Sequence, residues 1–119
     1  MITVTIRRDA GGWITGFTAS GHSGYAEPGS DIICAAISAM GAAAIGSLQE
    51  LAGIDPARRL ESGLIEFRLP DASGLSDQQR LIAGILTEAL AIGCKQIQNS
   101  YGSRYVRFRK ETSKGGAKA

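Results

Sequence analysis

The chain of 119 residues carries a formal net charge of +2, with 44% hydrophobic and 20% charged residues. That length fits one domain, burying about two-thirds of the surface its unfolded form exposes, and an ordinary apolar fraction with so little net charge excludes general disorder. The longest weakly polar run, Ile32 to Leu48, stops just short of the roughly 18–20 apolar residues of a membrane span, is rich in Ala, Gly and Ser, and is bounded by Asp31 and Glu50.

Ile2, Val4 and Ile6 alternate with Thr3, Thr5 and Arg7, the period of a half-buried strand. Arg8-Asp9-Ala10-Gly11-Gly12 supplies a turn, and Trp13 to Ser20 alternates again, with Trp13, Phe17 and Ala19 on one face, so the two segments predict a hairpin. Gly21 to Ser30 holds three glycines and a proline and reads as a loop, the kind of segment in which functional groups concentrate. Asp31 is a good N-cap for a helix over Ile32 to Leu51 that is apolar or small on every side, the pattern of a buried helix, ended by Gly53 and Pro56. Its many small residues (Ala35, Ala36, Ala39, Gly41 and Ala42 to Ala44) allow close approach of another backbone, from its own sheet or from a second subunit.

Arg58 to Leu60 and Leu64 to Leu69 predict two strands joined at Glu61-Ser62-Gly63, and Pro70 and Gly74 bracket a turn. Ser76 and Gln79 fit a capping box that opens a long amphipathic helix, with Leu81, Ile82, Ile85, Leu86, Ala89, Leu90, Gly93 and Ile97 at helical spacing. Arg104 to Arg109 alternates basic residues with Val106 and Phe108 as a final strand. The expected architecture is α+β: one domain over residues 1–110 in the order ββαββαβ, a mixed or antiparallel sheet packed with two helices, and a basic tail at 111–119 expected to be disordered.

Chemistry points to the loop and the first helix. His22 is the only histidine, and Cys34 falls at N3 if Asp31 is the N-cap. A helix N-terminus carries positive partial charge that favours a thiolate over a thiol. An imidazole within hydrogen-bond reach can take the thiol proton and leave an ion pair that serves as nucleophile and then acid. Free N–H groups there, including that of Cys34, are candidates for an oxyanion hole. Asp31 reads first as the cap and alternatively as the group orienting His22 or the loop. Ser38, one turn after Cys34, reads by default as a buried hydroxyl bonded to a backbone carbonyl, or else as a residue of the site.

The run SGHSGYAEPGSDIICAAISAM resembles the signature of the ribosomal-processing cysteine proteases: Gly-His, a short Gly-rich loop, then Gly-x-Asp-Ile-[Val/Ile]-Cys-Ala-Ala-[Val/Ile]-Ser. The resemblance covers nearly the whole chain. It implies a bacterial cytoplasmic endopeptidase that removes a short N-terminal extension from the twenty-seventh protein of the large ribosomal subunit, cutting after aromatic residues. It implies His22 as base, Cys34 as nucleophile, Gly21 and Asp31 as supporting positions and Ser38 as a motif serine. It further implies a homodimer and a mobile loop, here Ser23 to Ser30, over the catalytic pair. Ser23 stands where the family pattern has alanine. No cofactor or metal is implied.

The remaining motifs are less informative. Cys94 lies on the side of Leu90 and Ile97 in the second helix and reads as core. The two cysteines are far apart with no CxxC, which argues against zinc. With no secretory signal at the start of the chain, they place it in a reducing cytoplasm with both thiols free. Gly41 to Gly46 lacks the ending of a P-loop. A rival reading is a ribosome- or RNA-binding module using Arg104, Arg107, Arg109, Lys110, Lys114 and Lys118 with Tyr101 and Tyr105 interleaved, although +2 is weak for nucleic acid. A third is a cysteine-dependent redox or transferase enzyme using the same Cys34–His22 pair.

Overall fold

The computed structural model describes residues 1–26 and 31–112. The elements are β1 (Ile2–Arg8), β2 (Ile14–Gly21), α1 (Ile32–Leu51), β3 (Ala57–Glu61), β4 (Leu64–Arg68), a single 3-10 turn at Ala72–Gly74, α2 (Asp77–Tyr101) and β5 (Val106–Thr112). The ββαββαβ order and the mixed sheet are as the sequence predicts. The strands lie in the order β3-β4-β2-β1-β5, antiparallel throughout except for β1 and β5, which run parallel.

Alternation decides which face of the sheet is covered. Ile2, Val4 and Ile6 of β1, Phe17 and Ala19 of β2, and Phe67 of β4 enter one core with residues of both helices. Phe17 and Phe67 are register partners whose rings stack at 5.5 Å, both wholly buried. The opposite face carries Thr3, Arg7, Glu66, Arg68, Arg107 and Arg109, half-buried or exposed. Helix α2 is tied to β1 by a fork of two hydrogen bonds from Arg8 to Glu88, at 2.5 and 3.0 Å. The pairing raises the Arg8 pKa and lowers that of Glu88.

Several expectations need correction. A bulge between Arg7 and Arg8 pairs Arg8 with Ile14 after Arg7 pairs with Gly16, so Ile14 is buried in the core while Trp13, half-buried, packs against its edge. Helix α1 is not buried all round: Ile33, Ile37, Gly41, Ala44, Ile45 and Leu48 are buried, while Ile32, Ala35, Ala39, Ala42 and Ala43 are exposed. At 20 residues α1 is long and apolar enough to cross a membrane by length and composition alone, yet its buried face is part of the core under the sheet. Helix α2 is rotated from its predicted face. Ala83, Thr87, Leu90, Ala91 and Cys94 are buried, whereas Leu81, Ile85 and Ala89 are exposed, because small side chains let the helix settle closer to the core than leucines would. The last strand begins at Val106 and runs to Thr112, so Glu111 and Thr112 belong to the sheet; the rest of the expected tail, 113–119, lies outside the described residues.

Phe67→Ala removes a ring packed on Phe17 at the centre of the sheet and is expected to cost about 3–5 kcal/mol, measured as a lower urea midpoint with an unchanged slope.

Candidate active site

The site forms where β2 ends, α1 begins and the β3–β4 turn comes up beside them. Gly21 closes β2 opposite Ile2 with φ +95. A side chain there would place its Cβ 2.4 Å from the Met1 carbonyl oxygen, so both the backbone conformation and the close approach require glycine. The Gly21 amide also donates to the Gly63 carbonyl at 2.8 Å. Gly63, at φ +73 in the β3–β4 turn, leaves room for the next residue: a Cβ on it would lie 3.0 Å from His22 Nε2. Two glycines distant in sequence thus set where His22 stands.

Helix α1 sets the cysteine. Asp31 is its N-cap, with Oδ1 accepting from the Ile33 and Cys34 amides, both at 3.0 Å. Asp31 Oδ2 accepts a short hydrogen bond from the Ser23 hydroxyl. Ser23 is 3% exposed and Asp31 8%. Burial pushes the Asp31 carboxyl up, but hydrogen bonds from Ser23, from the Cys34 amide and side chain, and from the Ile33 amide outweigh it and hold the group down at about 2. The Ser23 amide donates to Cys34 Sγ at 3.3 Å, and the Tyr25 amide donates to Ser23 Oγ at 3.0 Å.

His22, Cys34 and Ser38 line the same two cavities. The smaller, about 110 Å³, is walled by Ile2, Ala19, Ile37, Leu64 and Ile65, with Glu61 at its rim. The larger, about 510 Å³, adds Gly24, Ala26, Asp31 and Ala35. The five residues singled out from the sequence, Gly21, His22, Asp31, Cys34 and Ser38, therefore gather at one place.

The hydrogen bonds of Asp31 run to the helix and to Ser23, so it caps α1, as its first reading has it, and holds the loop but not the imidazole. Two details differ from expectation. The Cys34 amide is engaged by Asp31 and is not a free oxyanion donor. Ser38 is exposed at the cavities, not a buried hydroxyl. Sequence reasoning also passed over Gly63 and the apolar wall from Ile37 of α1 with Leu64 and Ile65, the last two brought alongside by the β4–β2 pairing. Of the segment Ser23 to Ser30, expected as a mobile loop over the pair, residues 27–30 lie outside the described residues.

The second cysteine is chemically unlike the first. Cys94 is fully buried in α2, and burial pushes its thiol up to about 12. The basic strand of the rival reading is partly neutralised: Arg7 and Arg109 both approach Glu111, at 3.4 Å. Lys114 and Lys118 lie outside the described residues.

Asp31→Ala is expected to cost about 1 kcal/mol of stability through loss of the cap. Because the Asp31 pKa is depressed when folded, the difference between wild type and variant is in place above the ordinary carboxylate value of 3.8 and fades as pH falls through about 2. Urea unfolding at a series of pH values measures it.

A family model described as "Cysteine protease Prp" matches residues 1–107. The ribosomal processing cysteine protease Prp of Bacillus subtilis (strain 168) is 31% identical over 103 residues, covering 85% of this chain and 90% of that protein. Among solved structures, the ribosomal processing protease Prp from S. aureus, in complex with a covalently linked product peptide, has a TM-score of 0.81 at 24% identity, covering 93% of this chain and all of that one. SMU.848 from Streptococcus mutans has a TM-score of 0.77 at 25% identity, covering 95% and 96%. The two structures share the fold, and the family model together with the B. subtilis relative gives the lineage: this chain belongs to the Prp family of cysteine proteases.

Proposed function

We propose that the enzyme is an endopeptidase of bacterial ribosome maturation, which removes the N-terminal extension of a large-subunit ribosomal protein in the cytoplasm, where ribosomes assemble. The observation that carries this reading is the placing of Cys34 at the head of α1, on the same cavities as the only histidine. The naming of the B. subtilis relative as a ribosomal processing protease supports the substrate class.

In the proposed cycle His22 takes the Cys34 proton, and the thiolate attacks the scissile carbonyl carbon. The tetrahedral intermediate collapses with expulsion of the amine, which receives the proton from the imidazolium. Water, deprotonated by His22, then hydrolyses the thioester and restores the thiol. Gly21 fixes the start of the loop, and Asp31 fixes the helix end and, through Ser23, the loop. Ser38 lines the cleft one turn beyond the nucleophile. The small cavity walled by Ile2, Ile37, Leu64 and Ile65 suits an apolar or aromatic side chain next to the cut bond.

We further propose that two copies pair through the exposed apolar side chains of the helices. Leu81, Ile85 and Ile92 of α2 are 64%, 61% and 59% exposed, and Ala39, Ala42 and Ala43 of α1 are exposed as well. Stripes of this kind on a small domain favour association. Ile85→Glu is expected to leave the fold intact and convert a dimer to a monomer in analytical ultracentrifugation; a monomeric wild type overturns the pairing.

The decisive assay incubates the chain with the twenty-seventh large-subunit protein carrying its extension and reads the products by mass. Cys34→Ala and His22→Ala are each expected to reduce cleavage by at least about 10³-fold, with circular dichroism unchanged. A folded variant that still cuts at near wild-type rate refutes the assignment. Iodoacetamide is expected to label Cys34 in the native protein and Cys94 only after unfolding.

A further inference from the structure

We propose that Tyr101 and Tyr105, near the far end of the chain, are positioning residues for the nucleophile: they fasten, through Tyr25, the loop whose backbone holds the Cys34 sulfur. The inference rests on the proteolytic reading above for its kinetic consequence but not for its structural one. Nothing in the sequence links these tyrosines to the His22 loop, from which they are separated by some 75 positions.

The Tyr25 ring stands edge-on to Tyr101, with centroids 5.7 Å apart and planes at 79°, and edge-on to Tyr105 at 5.3 Å and 77°. This is the arrangement aromatic quadrupoles prefer. The two partner rings sit on rigid ground. Tyr101 is the last residue of α2. The Tyr105 carbonyl accepts from the Ile2 amide at 2.9 Å, which joins it to the start of β1, and its amide donates to the Gly102 carbonyl at 3.1 Å. The Arg104 guanidinium lies over the Tyr105 ring, 5.2 Å from its centre.

From Tyr25 the connection runs inward without a gap. The Tyr25 amide donates to Ser23 Oγ, the Ser23 hydroxyl donates to Asp31, and the Ser23 amide donates to Cys34 Sγ. A glycine-rich segment loses much conformational freedom when ordered, and here it is held at two points: the buried Ser23–Asp31 bond and the exposed aromatic clasp. Releasing the outer point leaves the inner one to hold the loop alone, so the N–H of Ser23 is aimed at the sulfur less of the time. These tyrosines and Arg104 are the aromatic and basic residues that composition alone offers as an RNA platform; the geometry gives the rings a partner within the chain.

The test compares wild type with the Tyr101→Ala, Tyr105→Ala variant, with Tyr101→Ala alone in case the double variant does not fold, and with the corresponding Phe replacements. Loss of one edge-to-face pair, as in Tyr101→Ala, shifts an equilibrium by roughly 2- to 12-fold, and the double variant, which loses two, shifts it by more. Hydrogen exchange of the Ser23 and Tyr25 amides, followed by NMR, is expected to speed up by about that factor in Tyr101→Ala and by more in the double variant, while the amides of Val4 and Ile6 are unaffected. On the extended ribosomal protein, kcat is expected to fall by a similar factor with KM unchanged, and the Phe variants are expected to keep wild-type values because the ring contact survives. Unchanged exchange at Ser23 and Tyr25 in a folded Ala variant overturns the clasp. Equal acceleration at Val4 and Ile6 also overturns it, by showing a general loss of stability. If wild type cuts no extended ribosomal protein, the proposed substrate fails while the exchange data still judge the clasp.

Discussion

A single carboxylate holds the centre of this molecule together. Asp31 satisfies two of the orphan amides that every helix start leaves bare, and its second oxygen takes the hydroxyl of Ser23 from the loop leading out of β2. Because one of those amides belongs to Cys34, the same group that starts α1 also fixes the rotation of its first turn, and with it the direction in which the sulfur points. The low pKa of Asp31 follows from these donors and keeps the cap charged across the neutral range.

The sheet supplies the rest of the frame. Cys34 comes from a helix, His22 from the end of a central strand, and the cavity wall from β4 and α1, so no single element contains the site. What makes their meeting reproducible is close packing around residues without side chains. Gly21 admits the Met1 carbonyl and Gly63 admits the imidazole. Each is a place where the backbone, not a side chain, decides the geometry, and this explains why a short Gly-His pair belongs with a distant Cys in one pattern.

Much of this was legible in the sequence, for identifiable reasons. Strict alternation gave β1 and β4, and a capping box at Ser76 gave the start of α2, since these signals are local and physical. The Asp31 cap and the N3 position of Cys34 were read from side-chain chemistry alone. The failures are all non-local. The bulge that buries Ile14 depends on pairing with Arg8, and the facing of α2 depends on which residues are small enough to approach the core, so Ala83 and Thr87 displaced Leu81 and Ile85. That Asp31 holds the loop as well as the helix rests in the same way on where Ser23 lies, which the fold of the loop sets.

The parallel ladder between β1 and β5 has a consequence for synthesis. β1 lies inside the sheet, yet one of its two neighbours is the last strand, and the Ile2 amide finds its acceptor only in Tyr105. During vectorial translation β1 can pair with β2, but one flank stays open until the whole domain has left the exit tunnel. The nascent chain therefore presents a raw strand border until β5 has emerged, which makes this flank a natural point for chaperone attendance.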